Sequence, residues 1–230
     1  MRARTSSEAR PLRRSQADRR AETRDALLAS AARALSRYGY GNLNLAEVAT
    51  EAGYTRGALY HLFKDKEDLA LAVVAWVWET WQQEVGSQLD ADGEPFQTLV
   101  ALARAHVAYC RDGRGRVMMT LRVEFAEREH PVGKSVWTIA ATLRKRVEQL
   151  VIRGRRSGTI PPGPPARILA AAYLSAVEGL AVGVAGRTPH DEALAERLVV
   201  GLLRGGSAIT PRRAAPARSA PGDGLRRPRP

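Results

Sequence analysis

This chain of 230 residues is short of the residues that most chemistry and most disulfide scaffolds require. It has one cysteine, Cys110, so no internal disulfide framework is possible. Its four histidines, at 61, 106, 130 and 190, lie too far apart for zinc-ligand spacing, so no metal site is expected. No histidine has an acidic partner at helical spacing on an apolar face, and the acids are scattered over polar faces. A convergent acid, base or nucleophile set is therefore missing, and an enzyme is not expected. No cofactor is implied. Alternating apolar and polar runs are absent too, which excludes a sheet protein. The opening "MRARTSSEARPLRRSQADRR" carries no apolar core segment, so it does not read as a signal peptide, and a cytoplasmic protein is expected.

What is present is charge, unevenly placed. The net charge of +12 divides into +6 over residues 1–64, +6 over residues 204–230 and none between, where seventeen basic residues face seventeen acidic ones. A basic end beside a neutral body suits a polyanionic partner, because phosphate neutralisation supplies most sequence-independent affinity for nucleic acid. Residues 1–17 and 206–230 are rich in Pro, Ser, Ala and Arg and too poor in large apolar groups to repay the entropy of ordering, so both read as disordered basic tails.

Between the tails the apolar periodicity is helical throughout. Phe96, Leu99, Val100, Ala103, Val107 and Cys110 make one stripe behind Pro95, which suits a first helical turn. Val136, Ile139, Ala140, Leu143, Val147, Leu150 and Val151 make a second. A helix from about Lys66 to Leu89 has Trp76 and Trp78 on opposite sides, so it should run through the middle of the body with neighbours on two faces.

The segment before it is punctuated differently. A first helix ends near Tyr38 and Gly39, with Leu28, Ala31, Leu35 and Tyr38 on its core side. Asn44 with Glu47 opens a short second helix, and Gly53 supplies a sharp turn. Thr55 caps a third helix, "RGALYH", whose Leu59 faces inward. Two short helices joined by a glycine turn form a helix-turn-helix. Thr55, Arg56 and Ala58 then stand where a major groove is read, and Gly57 permits close backbone approach. Asn44, Tyr60, His61 and Lys66 complete the expected DNA-facing set, the last three toward flanking phosphates.

The stretch "GYGNLNLAEVATEAGYTRGALYHLFKDKEDL", residues 39–69, resembles the helix-turn-helix of TetR-type transcriptional regulators in its glycine turn, hydroxyl cap, Arg-Gly pair, Leu-Tyr-His run, Phe and the Lys-Glu that opens the next helix. Further on, "GTIPPGPPARILAAAYLSAVEGLAVG" is similar to that family's loop into its eighth helix. The resemblance implies a homodimer, a palindromic operator and a ligand cavity in the helical body that controls DNA affinity. Two departures stand out: Leu43-Asn44 replaces the common Thr-Thr or Ser-Thr pair, and Ala58 replaces a common Thr. Loss of that hydroxyl shifts base reading onto Arg56.

The expected architecture is all-α: tail 1–17, helix-turn-helix DNA-binding domain 18–64, ligand-binding and dimerisation bundle 65–205, tail 206–230. A stripe of small residues, Ala171, Ser175, Gly179 and Gly183, with Leu198 and Leu202 on the next helix, suits a two-helix dimer patch. Residues 168–186 also have the length and Gly-x-x-x-Gly spacing of a membrane helix, against which Glu178 near the centre argues. Trp76, Trp81, His106, Tyr109, Met118, Phe125 and Trp137 are the candidate lining of a pocket for a bulky apolar or aromatic inducer, with Trp78, Met119 and Glu178 in reach of the same role. The expected function is a dimeric repressor released from operator DNA by that inducer; the alternative is a ligand-independent architectural DNA binder.

Overall fold

The computed structural model describes residues 15–89 and 93–205; the two terminal tails expected from the sequence lie outside these residues, apart from the last residues of the first. Nine α-helices and no strands occur among the described residues: α1 (Gln16–Tyr38), α2 (Leu45–Glu51), α3 (Arg56–Leu62), α4 (Lys66–Glu84), α5 (Pro95–Tyr109), α6 (Arg116–Glu124), α7 (Pro131–Arg156), α8 (Ala166–Val184) and α9 (His190–Arg204).

Local chemistry sets most of these boundaries. Helix α1 starts earlier than the tail composition suggests. The Ser15 hydroxyl accepts from the Asp18 N–H, while the Asp18 carboxylate accepts from the Ser15 N–H, a reciprocal cap. At α2 the Asn44 side-chain oxygen accepts from the N–H groups of Ala46 and Glu47. Thr55 caps α3 through Ala58, and Asp65 caps α4 through Asp68. Gly53 makes the turn between α2 and α3 with φ +79°, a region that side chains rarely enter.

The apolar side chains gather into two cores. The first joins α1, α2, α3 and the front half of α4 to Val117, Leu121 and Phe125 of the α6 segment and to Val132 and Val136 of α7. The second joins Trp81 to α5, the rear half of α7, α8 and α9. Helix α4 supplies both, with Trp76 packed against the first and Trp78 against the second, as its two-sided hydrophobicity requires. The core under the helix-turn-helix thus crosses the 64/65 boundary and is closed by α6 and α7.

Three side-chain hydrogen bonds tie the layers: Ser30 donates to the Val48 carbonyl, Tyr109 to that of Val77 and Tyr173 to that of Leu99. Each satisfies a buried hydroxyl that would otherwise cost about 1–3 kcal/mol.

Two local expectations change. The long central helix stops at Glu84 rather than Leu89, because the chain tightens at Gly86 into a 3-10 turn, Gly86–Leu89. Tyr38 is 52% exposed rather than core-facing. The chain swings out at Gly39, and it is Tyr40 that packs inward, 5.3 Å from Phe125 between ring centres. Gly39 combines φ +74° with ψ −179°, so it is not a left-handed helical cap but an extended mirror-image conformation.

Candidate DNA-reading helix and the cavity behind it

Helix α3 is held by Leu59 and, more loosely, Leu62, and leaves its opposite face free. Leu59 is fully buried against α1 and α2, while Arg56, Gly57, Tyr60 and His61 are exposed on the opposite side. The Arg56 guanidinium lies 5.4 Å from the Tyr60 ring centre and donates to its hydroxyl at 3.4 Å, so the two form one planar, cationic patch. A Cβ added at Gly57 would meet only the Thr55 hydroxyl, at 3.7 Å; packing within the chain does not require glycine there.

The other candidates serve the scaffold as well. Thr55 and Asn44 use their side-chain oxygens as helix caps, and the Asn44 amide also donates to Glu47. Ala58 is half-buried. Lys66 is turned inward: its ammonium donates to the Gly41 carbonyl at 2.8 Å and sits 4.8 Å from the Tyr40 ring centre. Arg20 and Thr23 of α1 share an open groove with Ala58, His61 and Leu62 of α3. Sequence patterning passes over these two; the only signal for them is the basic run at the start of α1.

Behind this unit lies a cavity of about 60 Å³ between α4, α5, α6, α7 and α8. Of the residues expected there, Trp81, His106, Tyr109, Met118 and Glu178 line it, together with Trp78. The others are placed elsewhere: Trp76 packs on the first core, Phe125 stacks on His130 at 4.6 Å, and Trp137 is 44% exposed. The indoles of Trp78 and Trp81 lie nearly parallel, 5.2 Å apart.

His106 is fixed as a neutral ring. Its Nδ1 accepts from the Trp81 indole N–H at 3.0 Å, so its proton is on Nε2, which faces the Cys110 sulfur at 3.5 Å. Burial lowers its pKa, opposed by the charge of Glu178, and burial pushes the Cys110 thiol up to about 12. The charged groups among the lining residues are Arg122 of α6 and Glu178 of α8, which form a two-pronged ion pair. Sequence spacing carries no sign of Arg122, because its partner is 56 residues away.

The far end of α6 reaches the helix-turn-helix. The Glu124 carboxylate accepts from the main-chain N–H groups of Tyr40 and Gly41, in the loop between α1 and α2. Tyr40 in turn contacts Phe125 and His130, and His130 approaches Glu67 at 3.4 Å. One short helix therefore touches the cavity through Met118 and Arg122 and the α1–α2 loop of the helix-turn-helix through Glu124.

No group of three or more potential metal ligands occurs among the described residues. Helix α8 is long and apolar enough to cross a membrane by length and composition, but here it packs on α5, α7 and α9, and its Glu178 is paired.

Comparison with known proteins agrees with this layout. The transcriptional regulator CymR of Pseudomonas putida is 42% identical over 69 residues, 30% of this chain and 34% of that protein. The chain spans little more than a third of the length of this and the next most similar curated relatives. Among solved structures, AibR in complex with isovaleryl coenzyme A and operator DNA superposes with a TM-score of 0.67 at 22% identity, over 79% of this chain and 98% of that one. FadR from Bacillus subtilis in complex with stearoyl-CoA gives 0.65 at 15% identity, over 80% and 99%. At such identities the likeness is one of fold. Residues 27–73, which hold the capped α2, the glycine turn and α3, match the family model described as "Bacterial regulatory proteins, tetR family".

Proposed function

We propose that this protein is a sequence-specific DNA-binding transcriptional regulator, a homodimeric repressor that leaves a palindromic operator when a small, largely apolar ligand fills the cavity behind α4. The observation that carries the reading is α3, anchored chiefly by the fully buried Leu59 with Leu62 beside it, and presenting Arg56, Gly57, Tyr60 and His61 outward on a short helix. Such a helix fits a major groove, with Arg56 toward guanine and Tyr60 and His61 toward the backbone. Thr55 and Asn44 hold the helices at the groove while capping them, and Lys66 acts by fixing the α1–α2 loop. Two reading helices docked one turn apart, roughly 34 Å, tolerate little change in spacing, so a modest shift of α4 or α6 suffices to release them.

The ligand part of the proposal is supported by the cavity and by the solved relatives whose structures hold isovaleryl coenzyme A or stearoyl-CoA. An architectural DNA binder would need neither the cavity nor the ion pair across it. A regulator of this kind acts on DNA in the cytoplasm, as a binding protein rather than an enzyme. The test is selection of bound duplexes from random DNA at two salt concentrations. A palindromic consensus is expected; enrichment of nothing, with binding that collapses as salt rises, would replace this reading with charge-driven association.

A further inference from the structure

The cavity's charged pair specifies more than an apolar occupant. Its walls are the stacked indoles of Trp78 and Trp81 with Met118, Ile139 and Leu143, an adaptable apolar lining. Its volume of about 60 Å³ accommodates only a few water-sized bodies, so a ligand must part the helices that bound it. His106 offers no charge, since both ring nitrogens are engaged and burial keeps it neutral.

Arg122 and Glu178 are left, and they are not equivalent. Both Glu178 oxygens are engaged by the two terminal nitrogens of Arg122, whereas the Arg122 guanidinium has a further Nε–H edge. A second cation, Arg116, crosses the same α6–α8 seam one turn along α8, donating to the Val182 carbonyl. Among the described residues no carboxylate lies within ion-pair distance of Arg116. The seam therefore carries two guanidinium groups against one carboxylate. An incoming cation would have to compete with a tethered arginine for Glu178. An incoming anion meets an arginine edge suited to a carboxylate.

We propose that the cavity takes an amphipathic acid, its apolar body between Trp78, Trp81 and Met118 and its carboxylate on Arg122 in competition with Glu178. This rests on reading the cavity as the regulator's ligand site and names the chemical class of that ligand. Binding would loosen the only ion pair seen between α6 and α8 among the described residues, at the helix whose other end holds Tyr40 and Gly41.

The test uses the full chain without DNA and two matched series, 3-phenylpropionate, 3-phenylpropanol and 3-phenylpropylammonium, and octanoate, octanol and octylammonium. Thermal unfolding midpoints and tryptophan fluorescence are the readouts. The acids are expected to raise the midpoint by mass action and to perturb the Trp78 and Trp81 emission, with the alcohols weaker and the ammonium compounds inert. Arg122→Gln should lower acid affinity about tenfold to a hundredfold, Arg122→Lys should restore part of it, and Glu178→Gln should leave it equal or higher. Because Arg122→Gln leaves Glu178 unpaired, the double variant R122Q/E178Q serves as a neutral cavity that should stay folded and lose its preference for acids. Binding of the ammonium members with loss in E178Q, equal binding of all three head groups, or binding of no member would each overturn the proposal. Failure of the DNA selection would undo the regulator reading and leave this measurement intact.

Discussion

Glu124, the last residue of α6, holds the main-chain N–H of Tyr40 at 2.6 Å across 84 residues of sequence, and that of Gly41 at 2.7 Å. A Cβ added at Gly39 would lie 2.6 Å from Glu124 Oε2, so a side chain there would have to displace this carboxylate as well as accept φ +74°. A loop that would otherwise expose two unpaired donors is thereby clamped to the helix that borders the cavity. Charge-assisted bonds of this kind contribute about 1.5–3 kcal/mol. Glu124→Ala should therefore lower stability by about that amount, and the melting point by several degrees for a domain of this size. It should also weaken the response of operator affinity to ligand more than operator affinity itself. Denaturant unfolding and ligand titration of an operator complex read the two effects; an unchanged ligand response would mean that coupling does not pass through α6.

Gly133 in the first turn of α7 makes a second, purely steric prediction. A Cβ there would sit 2.7 Å from Phe125 Cβ, an atom next to the main chain that cannot swing away. Gly133→Ala should cost about 1–3 kcal/mol by overpacking, despite alanine's better helix propensity. Chemical denaturation of the variant measures it, and a gain in stability would show that α6 and α7 separate easily.

Asp191 gives the pH dependence its sign. Its buried carboxylate accepts two bonds from Arg111 and others from the Gly186 and Glu192 N–H groups, and Arg111 above all holds its pKa down to about 2. The folded value is below the unfolded one of about 3.9, so this stabilisation is complete above about pH 4 and is lost as pH falls toward 2. Asp191→Asn should reduce stability at pH 7 by about 1–3 kcal/mol and flatten the decline between pH 4 and 2. Unfolding midpoints at several pH values test both; parallel curves for the two proteins would assign the acid sensitivity to other carboxylates.

These contacts also mark what a sequence can and cannot reveal. The caps at Asn44, Thr55 and Asp65 are legible because donor and acceptor lie within four residues, and the dual allegiance of α4 is legible because Trp76 and Trp78 differ by about half a turn. Leu59 and Arg56 separate by the same rule into buried and free faces. The cavity is legible only in part. Helical spacing places Trp81, Trp137 and Phe125 equally well on apolar faces, but only packing of distant helices decides that the first borders a cavity, the second meets solvent and the third stacks on His130. Glu124 and Arg122 were invisible because their partners lie 84 and 56 residues away, and nothing local distinguishes them from solvated charges.

Arg56 and Tyr60 test the reading helix. Arg56→Ala should weaken operator binding by about 1–3 kcal/mol and relax preference at one base position per half-site. Tyr60→Phe removes the hydroxyl that Arg56 touches but keeps the ring beneath it, so a smaller loss confined to the same base position is expected. Selection of bound sequences by each variant reads this directly. Uniform weakening by both would place them on phosphates instead.

The proposed dimer makes a prediction in which the fold and the assembly respond in opposite directions. Gly179 and Gly183 lie on an exposed face of α8 where an added Cβ meets nothing within 4 Å of the same chain, while Ile168 and Val182 on α8 and Leu194 on α9 are 40–52% exposed. Glycine is unfavourable in a helix interior by about 1 kcal/mol, and an exposed apolar face is a further cost, so a single chain has no use for either. A second copy packed close against these helices would explain both. Gly179→Glu should then leave the chain folded, with helix content unchanged, and convert it to a monomer by placing two like charges near the two-fold axis. Sedimentation would show the change of mass, and operator binding would fall to the weak affinity of one half-site. If Gly179→Glu stays dimeric, the paired face lies elsewhere, and the small residues of α8 need another explanation.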